Sequence, residues 1–97
     1  MNLGVCKIKL HLPENHSLKG KRQVLKSITT RVRNNYNVVI AEVDDQDLWQ
    51  VATLGVACIS NNAQQVNQVL SKVVEFISQS KFEVEILDYQ IEIIPFP

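Results

Sequence analysis

The hydrophobic period of this chain switches repeatedly, and the order of those switches restricts the fold more than any single motif. "GVCKIKLHLP" alternates: Cys6, Ile8, Leu10 and Leu12 share one side, Lys7, Lys9 and His11 the other, and Pro13 stops the run. Ser17 is a good helix N-cap, and after it Leu18, Leu25, Ile28 and Val32 recur at helical spacing. That helix should end near "NNY", with Asn34 or Asn35 in a left-handed cap. "NVVIAEV" reads as a second strand, "DDQD" as turn chemistry, and "LWQVATLGVACIS" as a third strand of small apolar residues. In "NNAQQVNQVLSKVVEFISQS" the spacing places Val66, Val69, Leu70, Val73 and Ile77 on one face of a second helix. "FEVEILDYQIEII" is a long fourth strand whose phase slips: Phe82, Val84 and Ile86 keep one side, then Leu87, Tyr89, Ile91 and Ile93. A bulge near Leu87–Asp88 accounts for the slip.

The resulting order, βαββαβ, is the ferredoxin-like split pattern of an α+β fold. Right-handed crossovers then give a four-stranded antiparallel sheet in the order 4-1-3-2, with both helices on one face. The loop after the first strand, the turn between strands two and three, and the loop before strand four share one end. "SLKGKR" and "DDQD" therefore meet there. With 97 residues the chain is expected to form a single domain, 1–97. No apolar run approaches a membrane span and no signal peptide is evident at the N-terminus, so the expected compartment is the cytoplasm, with no membrane partner. In that compartment Cys6 and Cys58, both in apolar strands, read as core thiols.

Net charge is zero but unevenly spread. Residues 1–40 carry eight bases against Glu14 alone, a net +7, and residues 41–97 carry two against nine acids, a net −7. Such asymmetry fits either an anionic partner for one face or two halves that neutralise each other. The first helix sharpens the question, because Lys19, Lys21 and Arg22 occupy its opening turns, where the helix dipole disfavours cations by roughly 0.3–1 kcal/mol each. On a helical wheel they separate. Lys19, Arg22, Lys26 and Arg33 form one stripe on an outer flank, whereas Lys21 falls with Leu25 and Ile28 on the inward face. Lys21 is thus expected in a structural ion pair with an acid of the second strand or its turn, Asp44 and Asp47 first among Glu42, Asp44, Asp45 and Asp47. The stripe is the candidate nucleic-acid contact, against the plainer reading of a solvated helix face.

Other chemistry finds little support. Along "TLGVACIS" the third strand lacks the aromatics of an RRM, and no GXXG loop of the KH kind is present. "LPENHSLKGKR" holds cations but not the glycine-rich loop of acylphosphatase-type enzymes. His11 and His16 have no third ligand at characteristic spacing, so no metal is expected, and no cofactor motif appears. Trp49, after the acidic turn, is a candidate partner contact, although covering the end of a small core is the commoner use of such a residue.

At "LHLPENHSLKGKR" and "NVVIAEVDDQDLWQVATLGVACISN" the chain resembles the DUF503 or YlxP-like family of small bacterial proteins, and the resemblance continues through "VNQVLSKVVEFI". Ser17, Leu18, Lys19, Lys21 and Arg22 match one motif of that family, and Asp47, Leu48, Trp49 and Gln50 another. Gly20 departs from the charged residue often seen there, and a glycine in the first turn loosens a helix start. The resemblance implies a ferredoxin-like fold and carries over no active site. Genes of the family often lie beside those for translation and ribosome-maturation factors, which implies a ribosome-linked role. The first functional reading is therefore a non-catalytic protein that binds RNA or a ribosomal particle through the first helix. The alternative is an interaction module, a weak homodimer through the open sheet face: Lys7, Lys9 and His11 opposite Glu83, Glu85 or Glu92, with apolar help from Val51 or Tyr89. A small phosphate-ester hydrolase comes third.

Overall fold

The computed structural model describes residues 1–79 and 81–97. Its elements run β1 (Asn2–His11), α1 (Leu18–Asn35), β2 (Val39–Asp44), β3 (Val51–Ser60), α2 (Ala63–Gln79) and β4 (Glu85–Pro95). The sheet order is β2-β3-β1-β4 with every neighbouring pair antiparallel, which is the expected 4-1-3-2 arrangement read from the other edge. Ser80, the last residue of the expected second helix, lies outside the described residues.

One contiguous core fills the space between sheet and helices. β1 contributes Cys6, Ile8 and Leu10, with Leu12 just beyond it, and β3 adds Ala52, Leu54 and Val56. Leu25, Ile28 and Val32 come from α1, and Val66, Leu70, Val73, Val74 and Ile77 from α2. Val69, expected among them, sits half-buried at the flank. Each fully buried Leu or Ile contributes about 1.5–3 kcal/mol relative to exposure, so these stripes position both helices. Gly4 fixes how closely α2 lies on β1: a Cβ there would run into Val66 Cγ1 and lie 2.8 Å from Leu70 Cδ1. Burial also pushes the Cys6 thiol up to about 11, so at neutral pH it is a protonated core side chain.

The helix ends follow local chemistry with one correction. Ser17 Oγ accepts from the Gly20 N–H at 2.9 Å, and Asn62 Oδ1 accepts from the Gln64 and Gln65 N–H groups at 2.9 and 3.2 Å. Neither Asn34 nor Asn35 takes the left-handed cap, since both are helical and the only described non-glycine residue at positive φ is Asp45. Instead α1 stops at Tyr36, in extended backbone with φ −137°, whose ring meets Phe76 of α2 edge-on at 5.6 Å. Tertiary packing ends this helix.

Two bulges set the faces of the edge strands. In β4 the register shifts so that Lys9 faces Asp88 and Leu10 faces Ile86, leaving Leu87 as the extra residue, where the phase slip pointed. In β2 a second shift lies between Glu42, opposite Leu54, and Asp44, opposite Thr53. Val43 is the extra residue there, and nothing in the sequence pattern marks it. No described helix is long and apolar enough to cross a membrane.

Candidate functional site: a clamped turn beside a basic helix flank

Lys21 is the organising side chain of the loop end. It is only 1% exposed, and its ammonium donates to three backbone carbonyls of the β2–β3 turn: Asp45 at 2.8 Å, Val51 at 3.0 Å and Gln46 at 3.3 Å. Those bonds use its three N–H groups. Glu42 Oε2 lies 2.9 Å from the same nitrogen. The two form an ion pair, with the hydrogen bonds of the ammonium going to the carbonyls. The Glu42 side chain as a whole keeps 22% exposure, but Oε2 itself is buried against the ammonium.

The acid that meets Lys21 is Glu42, not Asp44 or Asp47. Glu42 shares the helix-side phase of Ile40, whose side chain is buried. The Val43 bulge then turns Asp44 to the opposite face, level with Thr53 and Lys9. Asp47 is exposed at the turn tip, while the backbone carbonyls beside it take the ammonium.

Asn15 and Gln50 complete the clamp. Asn15 Nδ2 donates to the Ser17 carbonyl at 2.7 Å and to the Trp49 carbonyl, joining the N-cap of α1 to the turn. Gln50 Nε2 donates to the Asn15 carbonyl at 3.0 Å and, at 3.4 Å, to that of Pro13, while the Gln50 carbonyl accepts from the Leu12 N–H at 2.8 Å. A Cβ at Gly20 would strike Asn15 Oδ1, so this glycine makes room for the clamp that fastens the helix start. Asp45, at φ 60°, closes the turn: its carbonyl also accepts from the Leu48 N–H at 3.1 Å, and its Oδ2 accepts from the Thr53 hydroxyl at 2.6 Å. Five successive or near-successive carbonyls, those of residues 45, 46, 49, 50 and 51, thus have partners. Leu48 and Trp49 nevertheless stand in solvent, Trp49 at 55% exposure, so the tryptophan does not cover the core.

Lys19, Arg22 and Lys26 are exposed along the outer flank of α1 and have no ion pair among the described residues. Arg22, Lys26 and Arg33 line a groove between α1 and β2, together with Thr29, Ala41 and Glu42. Arg33 differs from the rest, because its guanidinium donates to the Ile40 carbonyl on the edge strand at 3.1 Å. Arg31, off the stripe, lies over the Phe82 ring at 5.4 Å. Most acids of the negative half sit at the clamped turn and in or near β4; Glu42, the one acid lining this groove, is paired with Lys21.

On the helix-free face, His11 Nδ1 lies 3.3 Å from Glu85 Oε2, whereas Lys7 and Lys9 face Gln90 and Asp88 without an ion pair. Tyr89 pairs with the core residue Ile8 and so lies on the helix side, not the open one. Val51, opposite His11, does lie on the open face, and the other apolar residues there are Leu3, Val5, Val39, Val43, Ala57, Ile59 and Ile94. Val39 and Ile59 are 73% and 64% exposed. Among the described residues no group of three or more His, Cys, Asp or Glu is placed to hold a metal ion. The sequence pattern missed Asn15 and Gln50, whose roles depend on contacts 34 and 35 residues away. Glu42 was accessible from its alternation with Ile40.

The model of the protein family described as "Protein of unknown function (DUF503)" matches residues 3–91. The chain is 48% identical over 61 residues to the "Uncharacterized protein YlxP" of Bacillus subtilis (strain 168), a match covering 63% of this chain and 66%, just under two thirds, of that protein. Among solved structures, the "De novo designed protein Ferredog-Diesel" is similar at 14% identity and a TM-score of 0.45, over 93% of this chain and 83% of that one. With the family match running through the clamp, the basic flank and most of the fourth strand, the chain belongs to the DUF503 family.

Proposed function

We propose that this protein is a non-catalytic, cytoplasmic RNA-binding protein that touches RNA or a ribosomal particle through the exposed flank of α1. The carrying observation is the contrast among its cations. Lys21 is buried and fully bonded, whereas Lys19, Arg22 and Lys26 are exposed and have no ion pair among the described residues. Lys19 and Arg22 also occupy the end of the helix where each costs about 0.3–1 kcal/mol. Contact with phosphate is a use that offsets such a placement, and it positions RNA without reading its sequence.

The test is a variant carrying Lys19→Gln, Arg22→Gln and Lys26→Gln. Its affinity for RNA or ribosomal particles should fall, and the log–log salt slope should flatten by about two to three. Thermal stability should hold or rise slightly, because the dipole conflict is removed. Binding equal to the wild type, or no RNA binding by either protein, refutes the reading.

A second reading is favoured by the helix-free face. Its apolar half adjoins a polar half in which Lys7 and Lys9 run between acids of both neighbouring strand pairs, Asp88 on one side and Asp44 and Asp45 on the other. A second copy turned about a two-fold axis can match that pattern. Exposed charge pairs contribute only about 0–1 kcal/mol each, so this dimer depends on Val39, Val43 and Ile59. Sedimentation equilibrium should show weak self-association that Ile59→Lys abolishes. A monomer at all concentrations ends this reading.

A further inference from the structure

We propose that Trp49 is a base-stacking platform, so that the ligand of the α1 flank is single-stranded RNA offering an unstacked base. This inference rests on the RNA-binding reading above and adds the class of RNA. The first observation is exposure: the chain's only tryptophan presents more than half of its surface to water. The second is immobilisation. The Trp49 carbonyl is held by Asn15, the next residue is held by Leu12 and by its own side chain on Asn15, and Lys21 ties the carbonyls on both sides of the pair. An aromatic ring on a backbone ordered before binding loses little entropy when a partner arrives.

The third observation is placement. One amide, Asn15 Nδ2, bonds both the Ser17 carbonyl and the Trp49 carbonyl, so the tryptophan adjoins the helix cap two residues before Lys19. A strand whose phosphates follow Lys19, Arg22 and Lys26 therefore passes the turn. Asp47, exposed at the turn tip, repels phosphate and keeps the backbone on the helix side. β1 and β3 carry no Phe, Tyr or Trp, so the sheet offers no stacking surface in the manner of an RRM. Duplex bases already stack on one another and expose no free face, whereas every unpaired base has one. Stacking of one base on an aromatic side chain is worth about five- to hundredfold in affinity and tolerates any sequence.

The experiment uses the intrinsic fluorescence of Trp49, titrated with a short oligoadenylate and with the same strand annealed to oligouridylate. The single strand should quench the emission saturably and bind more tightly than the duplex. Trp49→Ala, followed by anisotropy of a labelled oligoadenylate, should lose about five- to hundredfold in affinity with an unchanged salt slope, and Trp49→Phe should recover most of it. The triple Gln variant should do the reverse, flattening the slope while single-strand quenching persists at low salt. Circular dichroism melts of both Trp49 variants should match the wild type. Single-strand binding that neither quenches Trp49 nor weakens in Trp49→Ala overturns the platform and leaves the RNA-binding reading intact. Equal quenching by duplex also overturns it. If neither form of RNA binds, both proposals fail together, and the exposed turn becomes a surface for a protein partner.

Discussion

Lys21→Met is expected to lower the free energy of unfolding by about 3 kcal/mol, read as a shift of the urea midpoint at constant m-value. The change leaves the Glu42 carboxylate beside an apolar side chain and strands three turn carbonyls that the ammonium now satisfies. Breaking one side of a buried ion pair typically costs about 3–5 kcal/mol. The paired oxygen is buried, but the Glu42 side chain lies at the surface edge and can turn toward water once the ammonium is gone, which keeps this case at the lower end. Adding Glu42→Gln to Lys21→Met should restore part of the loss by removing the stranded charge, but not the part due to the carbonyls. Glu42→Gln alone should be milder than Lys21→Met, since the ammonium keeps all three hydrogen bonds. A loss below about 1 kcal/mol in Lys21→Met would show that the turn holds its shape without this clamp.

Gly4→Ala is expected to cost about 2–3 kcal/mol, the upper part of the range for overpacking. The backbone is no obstacle, because Gly4 does not adopt positive φ, and alanine even restricts the unfolded chain slightly. The cost is steric. Val66 and Leu70, which a Cβ would press against, are both fully buried on α2 and have nowhere to turn. Pairing Gly4→Ala with Val66→Ala should therefore be less destabilising than the sum of the two changes, with a coupling of roughly 0.5–3 kcal/mol. Strict additivity in thermal melts would mean that α2 shifts freely on the sheet.

Most of the architecture was legible because it rests on periods that burial enforces. Residues such as Ile8, Leu25, Leu70 and Ile86 have to share one layer, and their spacing in sequence states which elements can place them there. The bulge at Leu87 was visible for the same reason, since an extra residue between two apolar runs reverses their phase. The bulge at Val43 was not. It falls among Ala, Val and Asp on a strand six residues long, too short for a change of phase to register, and so the sequence leaves Asp44 in phase with Ile40 as a partner for Lys21. The end of α1 was misread for a different reason: an asparagine cap is a local signal, and it lost to the contact between Tyr36 and Phe76. Lys21 could be separated from the stripe by its angle on the helix alone. The fastening of Trp49 could not, because it depends on amide groups reaching across loops that only the folded chain brings together.

The bond from Arg33 to Ile40 bears on solubility. β2 is an outer strand, and Val39, Ala41 and Val43 are exposed along it. A short, valine-rich, unpaired rim of this kind invites another chain to add itself to the sheet. The guanidinium holds one carbonyl of this strand and places a charge beside the rim. Loss of that bond and charge is expected to make the rim more prone to aggregate. Neutralising Arg33 along with Lys19, Arg22 and Lys26 would mix lost RNA contact with newly sticky protein, which is why it belongs outside the set of substitutions used to measure binding.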